Sequence, residues 1–376
     1  MDLDLIIVGG GPVGASLARA ARQLAVRLVA AELRSPRAAP YEGFDARVYA
    51  LTPGNAQFLA ALEAMPLDQA TPVHAMRVHG DDASRIEFDA YRAGVRELAW
   101  IVEDRVLQDA LWRGLDAEVG LPEKLAVDEA AARLTLHGGN ELAARLVVGA
   151  DGARSFVREH AGIASTERSY GQSAVVANFA CERAHANTAF QWFQGGPVLA
   201  LLPLAGNHVS MVWSLPAARA AQVSTLPADA LCREVEAASG GALGQLSLVT
   251  PQRSYPLRRI SARRMVAPRI VLAGDAAHVI HPLAGQGLNL GLQDVRGLAE
   301  VLARLRPGDD PGDLRLLRRY ERARAEPILA MDTMVDGLFT LFGTRNRLAG
   351  RLRNAGLNLT DRLPVLKNLL IRQAMH

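Results

Sequence analysis

Lysine is almost missing. Of the 42 basic residues in this 376-residue chain, only Lys124 and Lys367 are lysines. The 39 acidic residues leave a formal net charge of +3, too small for a chain of this size to argue for nucleic acid as a partner. A basic set built almost wholly of arginine reads as the mark of a GC-rich genome rather than of a phosphate-binding surface. Cysteine is as scarce. Cys181 and Cys232 have no metal-ligand spacing, which argues against a disulfide framework and against a zinc site. Long hydrophobic runs are missing too: no stretch reaches the roughly 18 uncharged apolar residues of a membrane-spanning helix. The opening Met1-Asp2-Leu3-Asp4 is acidic and does not read as a signal peptide. Neither an internal repeat nor a low-complexity segment is found. The expected location is the cytoplasm, or the cytoplasmic face of a membrane. With 49% hydrophobic and 22% charged residues, the chain reads as a globular enzyme of two or three domains, or one large composite one.

What is present begins at once. Leu3 to Val8 is an apolar run of the kind that forms a fully buried parallel strand. Gly9-Gly10-Gly11-Pro12-Val13-Gly14 follows, then a helix-forming stretch from Ala15 to Gln23, and a second strand from Val26 to Ala30 that ends at Glu32. This is the full strand, GxGxxG, helix, strand and acid layout of a dinucleotide site. Gly9 makes the tight turn, Gly11 lets a pyrophosphate approach the backbone, Gly14 lets helix and strand pack, and Glu32 accepts hydrogen bonds from a ribose. A second acid, Asp151, ends the strand Leu142–Val148 between Gly149 and Gly152, where it can serve a cofactor or cap the following helix. The third piece runs from Arg269 to Asn289. A buried strand ends in Gly274-Asp275, a turn holds Pro282, Gly285, Gln286 and Gly287, and a helix then starts with Leu288 and Asn289. Backbone amides at such a helix N-terminus favour a negative or electron-rich group.

Between these pieces the character changes. Residues 73–89 alternate as two strands of a hairpin around Gly80-Asp81-Asp82. Helices are predicted over Pro53–Ala64, Glu103–Trp112, Pro227–Ala238 and 287–305, and strands over Leu125–Leu136 and Leu142–Val148. Residues 170–265 read as an antiparallel sheet able to wall a pocket. From Leu314 to His376 the chain is helical, punctuated by Pro327 and Pro364. On residue chemistry alone Arg47 is a solvated loop charge, and His278 is a packed histidine beside the Asp275 turn.

In this order and at these positions the three glycine–acid motifs resemble those of the para-hydroxybenzoate-hydroxylase-like flavoprotein monooxygenases. The wording His281-Pro282-Leu283-Ala284-Gly285-Gln286-Gly287-Leu288-Asn289 looks most like the ubiquinone-biosynthesis hydroxylases, the UbiH/VisC/Coq6 group. So do Asp45-Ala46-Arg47-Val48-Tyr49-Ala50-Leu51 and the segment Gly196–Leu204. The resemblance implies an α/β fold: a Rossmann-like FAD-binding domain, an inserted antiparallel-sheet substrate domain and a helical C-terminus. It would be divided into a discontinuous FAD-binding domain (1–72, 98–168 and 264–310), a substrate-binding sheet domain (73–97 and 169–263) and C-terminal helices (311–376).

The resemblance also carries roles. FAD would be held by Gly9, Gly11, Pro12, Val13 and Gly14, with Glu32 on the adenosine ribose. Arg47 and Arg105 would lie along the ribose and pyrophosphate, Asp151 would belong to the motif shared with NADH or NADPH, and Asp275 would hold the ribityl chain. Pro282, Gly285, Gln286, Gly287, Leu288 and Asn289 would run beside the isoalloxazine ring. His281 and Pro282 are the candidates nearest the chemistry, with His281 the one placed to tune a phenol. NAD(P)H and O2 would be co-substrates, the reaction passing through a flavin C4a-hydroperoxide, and the substrate would be a prenylated phenol. Other ubiquinone-biosynthesis proteins are candidate partners. The segment Ile328–Leu341 either packs on the FAD-binding domain or offers a surface to a membrane or to partner hydroxylases, with Arg345, Arg347, Arg351 and Arg353 downstream. The rival readings are a hydroxylase of a small soluble aromatic and a non-catalytic flavin-binding subunit.

Overall fold

The computed structural model describes residues 3–33, 43–80, 84–281 and 285–343. Through the first part of the chain the elements are β1 (Leu3–Val8), α1 (Pro12–Ala20), β2 (Val26–Ala30), β3 (Val48–Leu51), α2 (Pro53–Ala61), β4 (Thr71–Val73), β5 (Ala75–His79), β6 (Arg85–Asp89), α3 (Ala90–Ala93), β7 (Ala99–Glu103) and α4 (Asp104–Trp112). Then come β8 (Ala117–Val119), β9 (Pro122–Val127), β10 (Ala132–Leu136), β11 (Glu141–Gly149) and α5 (Phe156–His160). The middle holds β12 (Ser165–Cys181), β13 (Thr188–Phe193), β14 (Val198–Leu204), β15 (His208–Pro216), α6 (Ala217–Val223), α7 (Ala228–Ala238), β16 (Leu246–Leu248) and β17 (Arg253–Ala262). The described residues end with β18 (Val266–Ala267), β19 (Ile270–Leu272), a 3-10 turn at Gly274–Ala276, β20 (His278–Val279), α8 (Gln286–Leu302) and α9 (Leu314–Gly343).

The first sheet is parallel at its centre, in the order β19-β11-β1-β2-β8. β1 is covered on both faces, and Leu5, Ile6 and Ile7 are wholly buried, which is why its sequence does not alternate. Register brings the strand ends level: Val8 lies opposite Gly149, and Gly149 lies opposite Leu272. Gly9, Ala150 and Ala273 therefore leave the same edge side by side. That carboxyl edge is where open parallel sheets bind ligands.

The second sheet runs β20-β17-β12-β15-β14-β13-β5-β6. It is antiparallel except where β5 joins β13 in parallel, so the expected purely antiparallel sheet is mixed at that end. The hairpin β5–β6 forms as its alternation requires. The stretch Leu125–Leu136 is not one strand but two, β9 and β10, paired antiparallel. Asp128 makes the turn by accepting the amides of Ala130 and Ala131, both at 2.8 Å. A third, small sheet pairs β7 with β3 and β4. β20 pairs with β17, so the segment just after Asp275 leaves the first sheet and joins the second. The residues that matter for the site are thereby pinned between the two.

Candidate active site

The first motif is shaped by lack of room. A Cβ at Gly9 would sit 2.3 Å from the Ala150 carbonyl oxygen, and one at Gly14 would sit 1.9 Å from the Gly9 oxygen. Gly9 has φ +115°, a conformation costly for any other residue. Gly10 is tight as well, against Trp112 and Ala30, and its carbonyl accepts the Trp112 indole N–H at 2.9 Å. Gly11 is the opposite: nothing lies within 4 Å of a Cβ built there. It caps α1 with no side chain of its own, Pro12 follows, and the first-turn amides face open space. Room and unsatisfied donors coincide where a pyrophosphate would lie. Glu32 is exposed beyond the end of β2, with no partner among the described residues.

Across the cleft the second wall carries charge. Asp275 is exposed on its 3-10 turn. Burial of its surroundings pushes its carboxyl above the ordinary range, with His278 and Arg47 acting against that shift. Arg47 stands next to β3, its guanidinium 5.3 Å from the Tyr49 ring centre. Desolvation alone would depress it, but Tyr49, Asp104 and Asp275 raise it above its usual value. Arg105 does not point outward alone. It pairs with Glu103 at 3.0 Å and bonds the Gly43 carbonyl, so it fixes the segment leading to Arg47. Asp151 accepts the Ser155 hydroxyl at 2.6 Å and the Val157 amide at 3.0 Å. Of the two readings open to it, capping of α5 is what its hydrogen bonds do, while its backbone lies against Gly9.

The third piece closes the site. Gly274 is left-handed at φ +60°, and a Cβ on it would meet Val13 at 2.9 Å. Gly291 of α8 packs on the same valine. Val13 is therefore a spacer between α1, the Asp275 turn and α8. Gly285, at φ +63°, starts α8, and Gly287 has open space where its side chain would be. Gln286, Gly287 and Leu288 are partly exposed at this helix start. Asn289 is buried and wholly committed within the protein. Its Oδ1 accepts Thr52 N and Asn55 Nδ2, both at 2.9 Å, and its Nδ2 donates to Ala50 O at 2.7 Å. It ties α8 to β3 and α2 rather than offering a free amide. Pro282 lies outside the described residues.

His281 is completely buried, edge-on to Tyr170 at 4.7 Å, with Nε2 3.3 Å from Gln172 Oε1. Burial pushes its imidazole down to about 4. It is neutral at pH 7, too weak a base to hold a phenol's proton but able to share a hydrogen bond. His278 is the packed histidine expected beside the turn: Nε2 lies 2.6 Å from Asp294 Oδ2, and Asp294 is also bound by Arg324.

Residue reasoning passed over Trp112, Asn55, Gln172, Asp294 and Arg324. Asp294 alone left a trace, an acid on a helix face otherwise made of Leu290, Gly291, Val295 and Leu298.

The open cradle at Gly11, the charges of Arg47 and Asp275 and the open start of α8 are features that a bound FAD would use. Fold and site together define a flavoprotein. The FAD binding domain family matches residues 119–332, and the lycopene cyclase protein family matches residues 4–198. The chain is 35% identical to the ubiquinone hydroxylase UbiL of Rhodospirillum rubrum over 99% of its own length and 89% of that protein. It is 33% identical to the 3-demethoxyubiquinol 3-hydroxylase of Escherichia coli, over 99% and 98%. It is 30% identical to the mitochondrial ubiquinone biosynthesis monooxygenase COQ6 of Xenopus tropicalis, over 98% and 92%. Among solved structures it is similar in fold to Klebsiella pneumoniae HpxO complexed with FAD and uric acid, with TM-score 0.77, 18% identity and coverage of 98% and 96%. It is similar likewise to the p-nitrophenol 4-monooxygenase PnpA of Pseudomonas putida, with TM-score 0.78, 18% identity and coverage of 99% and 98%. The class is the para-hydroxybenzoate-hydroxylase-like flavoprotein monooxygenases. Within it, the chain belongs to the family of ubiquinone-biosynthesis hydroxylases.

Proposed function

We propose that this FAD-dependent monooxygenase hydroxylates the phenolic ring of a polyprenylphenol intermediate of ubiquinone biosynthesis, using NAD(P)H and O2. The observation that carries the reading is whole-length identity of 30–35% to a ubiquinone hydroxylase, a demethoxyubiquinol hydroxylase and a ubiquinone biosynthesis monooxygenase. Bound FAD supplies the redox and oxygen chemistry. The rest is the work of the chain's own residues. The amides at the start of α8 would present a positive helix end to a bound flavin and favour negative charge there. Arg47 and Asp275 set charge along the ribityl and phosphate path. His281, neutral and buried beside Gln172, offers a hydrogen bond to a phenol hydroxyl without taking its proton.

Exclusion of water falls to the cluster of Val78, Ile86, Phe193, Val198, Ile280, Leu290 and Val335, which joins the second sheet to α8 and α9. No helix among the described residues is long and apolar enough to cross a membrane. Leu329 and Met334, 66% and 48% exposed on α9, are where contact with a membrane or a partner protein falls in this reading. Arg345, Arg347, Arg351 and Arg353 lie outside the described residues. Mass spectrometry of the quinone pool in a deletion strain tests the substrate. One under-hydroxylated prenylphenol should accumulate and clear when the gene is restored. An unchanged pool would remove the prenylphenol and point to a soluble aromatic.

A further inference from the structure

The most completely buried charges in the described structure lie behind the cofactor cleft rather than in it. Asp294, on the inner face of α8, has no exposed surface. Its Oδ2 accepts the Gly274 amide at 2.9 Å and lies 2.6 Å from His278 Nε2. Since a carboxylate can only accept, Nε2 carries the proton. One carboxylate oxygen therefore holds residues 274 and 278, and Asp275 projects into the cleft from between them. The other oxygen, Oδ1, accepts Arg324 Nε at 2.7 Å. Arg324 comes from α9, is 6% exposed, and spreads its remaining donors to Gln293 Oε1 at 3.2 Å and Leu290 O at 3.4 Å. α8 makes way for it: Gly297 stands where the arginine stem crosses, and a Cβ there would lie 3.2 Å from Arg324 Cδ.

We propose that Arg324 is a positioning residue for the flavin, acting through Asp294 to fix both ends of the turn that presents Asp275. This rests on the reading of Asp275 as a flavin ligand. Arg324 does two things for the carboxylate. It neutralises a charge that has no water, and by occupying Oδ1 it turns Oδ2 toward Gly274 and His278. Without it, Oδ1 loses its partner in a buried site, and the carboxylate is free to rotate or to take a proton. Either change releases one end of the turn and moves the Asp275 side chain relative to Arg47, its charged neighbour on the same wall. The long helix α9 then serves the cofactor site from behind it.

The test is titration of deflavinated protein with FAD, followed by flavin fluorescence and by the visible circular dichroism of the bound ring. Arg324→Gln should bind FAD about ten- to a hundredfold more weakly, the range expected for loss of a charge-assisted hydrogen bond, with an altered dichroic band. Arg324→Lys, which keeps the charge but not the fork, should recover part of the affinity. It carries the test if the glutamine variant does not fold. Tyr320→Phe is the control. It removes a buried bond from the same helix to Leu272 O, 3.0 Å long, without touching Asp294. Wild-type FAD affinity and dichroism in Arg324→Gln, while Asp275→Ala loses FAD, would overturn the proposal. So would an equal affinity loss in Tyr320→Phe at equal melting temperature. Full FAD binding by Asp275→Ala would overturn the reading of the turn itself.

Discussion

Gly11 and Gly14 stand three positions apart in one motif, and their substitution by alanine should fail for opposite reasons. At Gly14 the new methyl group meets the Gly9 carbonyl oxygen at 1.9 Å, and backbone cannot step aside cheaply. Gly14→Ala should cost more than about 3 kcal/mol in the flavin-free protein, seen as a lower melting temperature. At Gly11 the methyl enters open space at φ −71°, which any residue adopts. Gly11→Ala should melt like the parent without flavin yet bind FAD on the order of tenfold more weakly, because the methyl takes the pyrophosphate's place. His281 gives a pH prediction. Its imidazole falls from 6.5 to about 4 on folding, so the unfolded chain binds the extra proton between those values. Stability should fall as pH drops through that window, by about 3 kcal/mol in all, and His281→Gln should flatten the slope in urea titrations. At this scale the glycines were legible because their conformations are tied to spacing, while Asp275 was given its role only through the resemblance. The sequence hid Arg324, which sits in a run with Arg318, Arg319 and Arg322 and is set apart only by what α9 packs against.

At the scale of elements, one side chain ties the start of α8 to β3 and to Asn55 of α2. Asn289 satisfies the Thr52 amide and the Ala50 carbonyl and bonds Asn55, all inside the protein. Asn289→Ala would strand those groups at a cost of about 2–5 kcal/mol. Chemical denaturation should show that loss, and FAD should dissociate at lower denaturant because the start of α8 drifts from β3. Asn289→Asp should be nearly as harmful, since it keeps the acceptor but loses the donor to Ala50. The strands with strong alternation and the helices with proline or glycine at their ends were legible from sequence. The β9–β10 turn was not, because Asp128 makes it through its own side chain with no glycine or proline to mark it. The parallel joining of β5 to β13 was equally hidden, since a pairing between strands so far apart in sequence leaves no local pattern. α9 continues through Pro327 as a single helix. Ion pairs on both sides, Arg324 with Asp294 before the proline and Asp332 with Arg259 after it, hold the two halves in place.

Across the whole molecule, α9 is the clasp between the two sheets. Its first half buries Leu317, Tyr320 and Arg324 against the parallel sheet and α8. Its second half faces the other sheet, where Val335 is 1% exposed and Arg259 of β17 donates Nε to Asp332 Oδ1 at 2.8 Å. Arg168 of β12 approaches Asp336 at 3.6 Å. On the proposed reading, in which the first sheet carries the flavin and the second the substrate, the helix would set the distance between them. Breaking the two attachments should then have separable effects. The Arg259–Asp332 pair is 31% and 14% exposed, so solvent screening limits it to about 1 kcal/mol. Asp332→Asn should lower the melting temperature by only about 1–2 °C in a chain of this size. Its FAD affinity should match the parent, because the Asp294 bracket is intact. What should change is the substrate side, read as a raised KM for the phenol with an unchanged rate of flavin reduction by NAD(P)H. If FAD affinity fell as well, the helix would be passing strain from one sheet to the other, and the two halves of the clasp would have to be treated as a single mechanical unit.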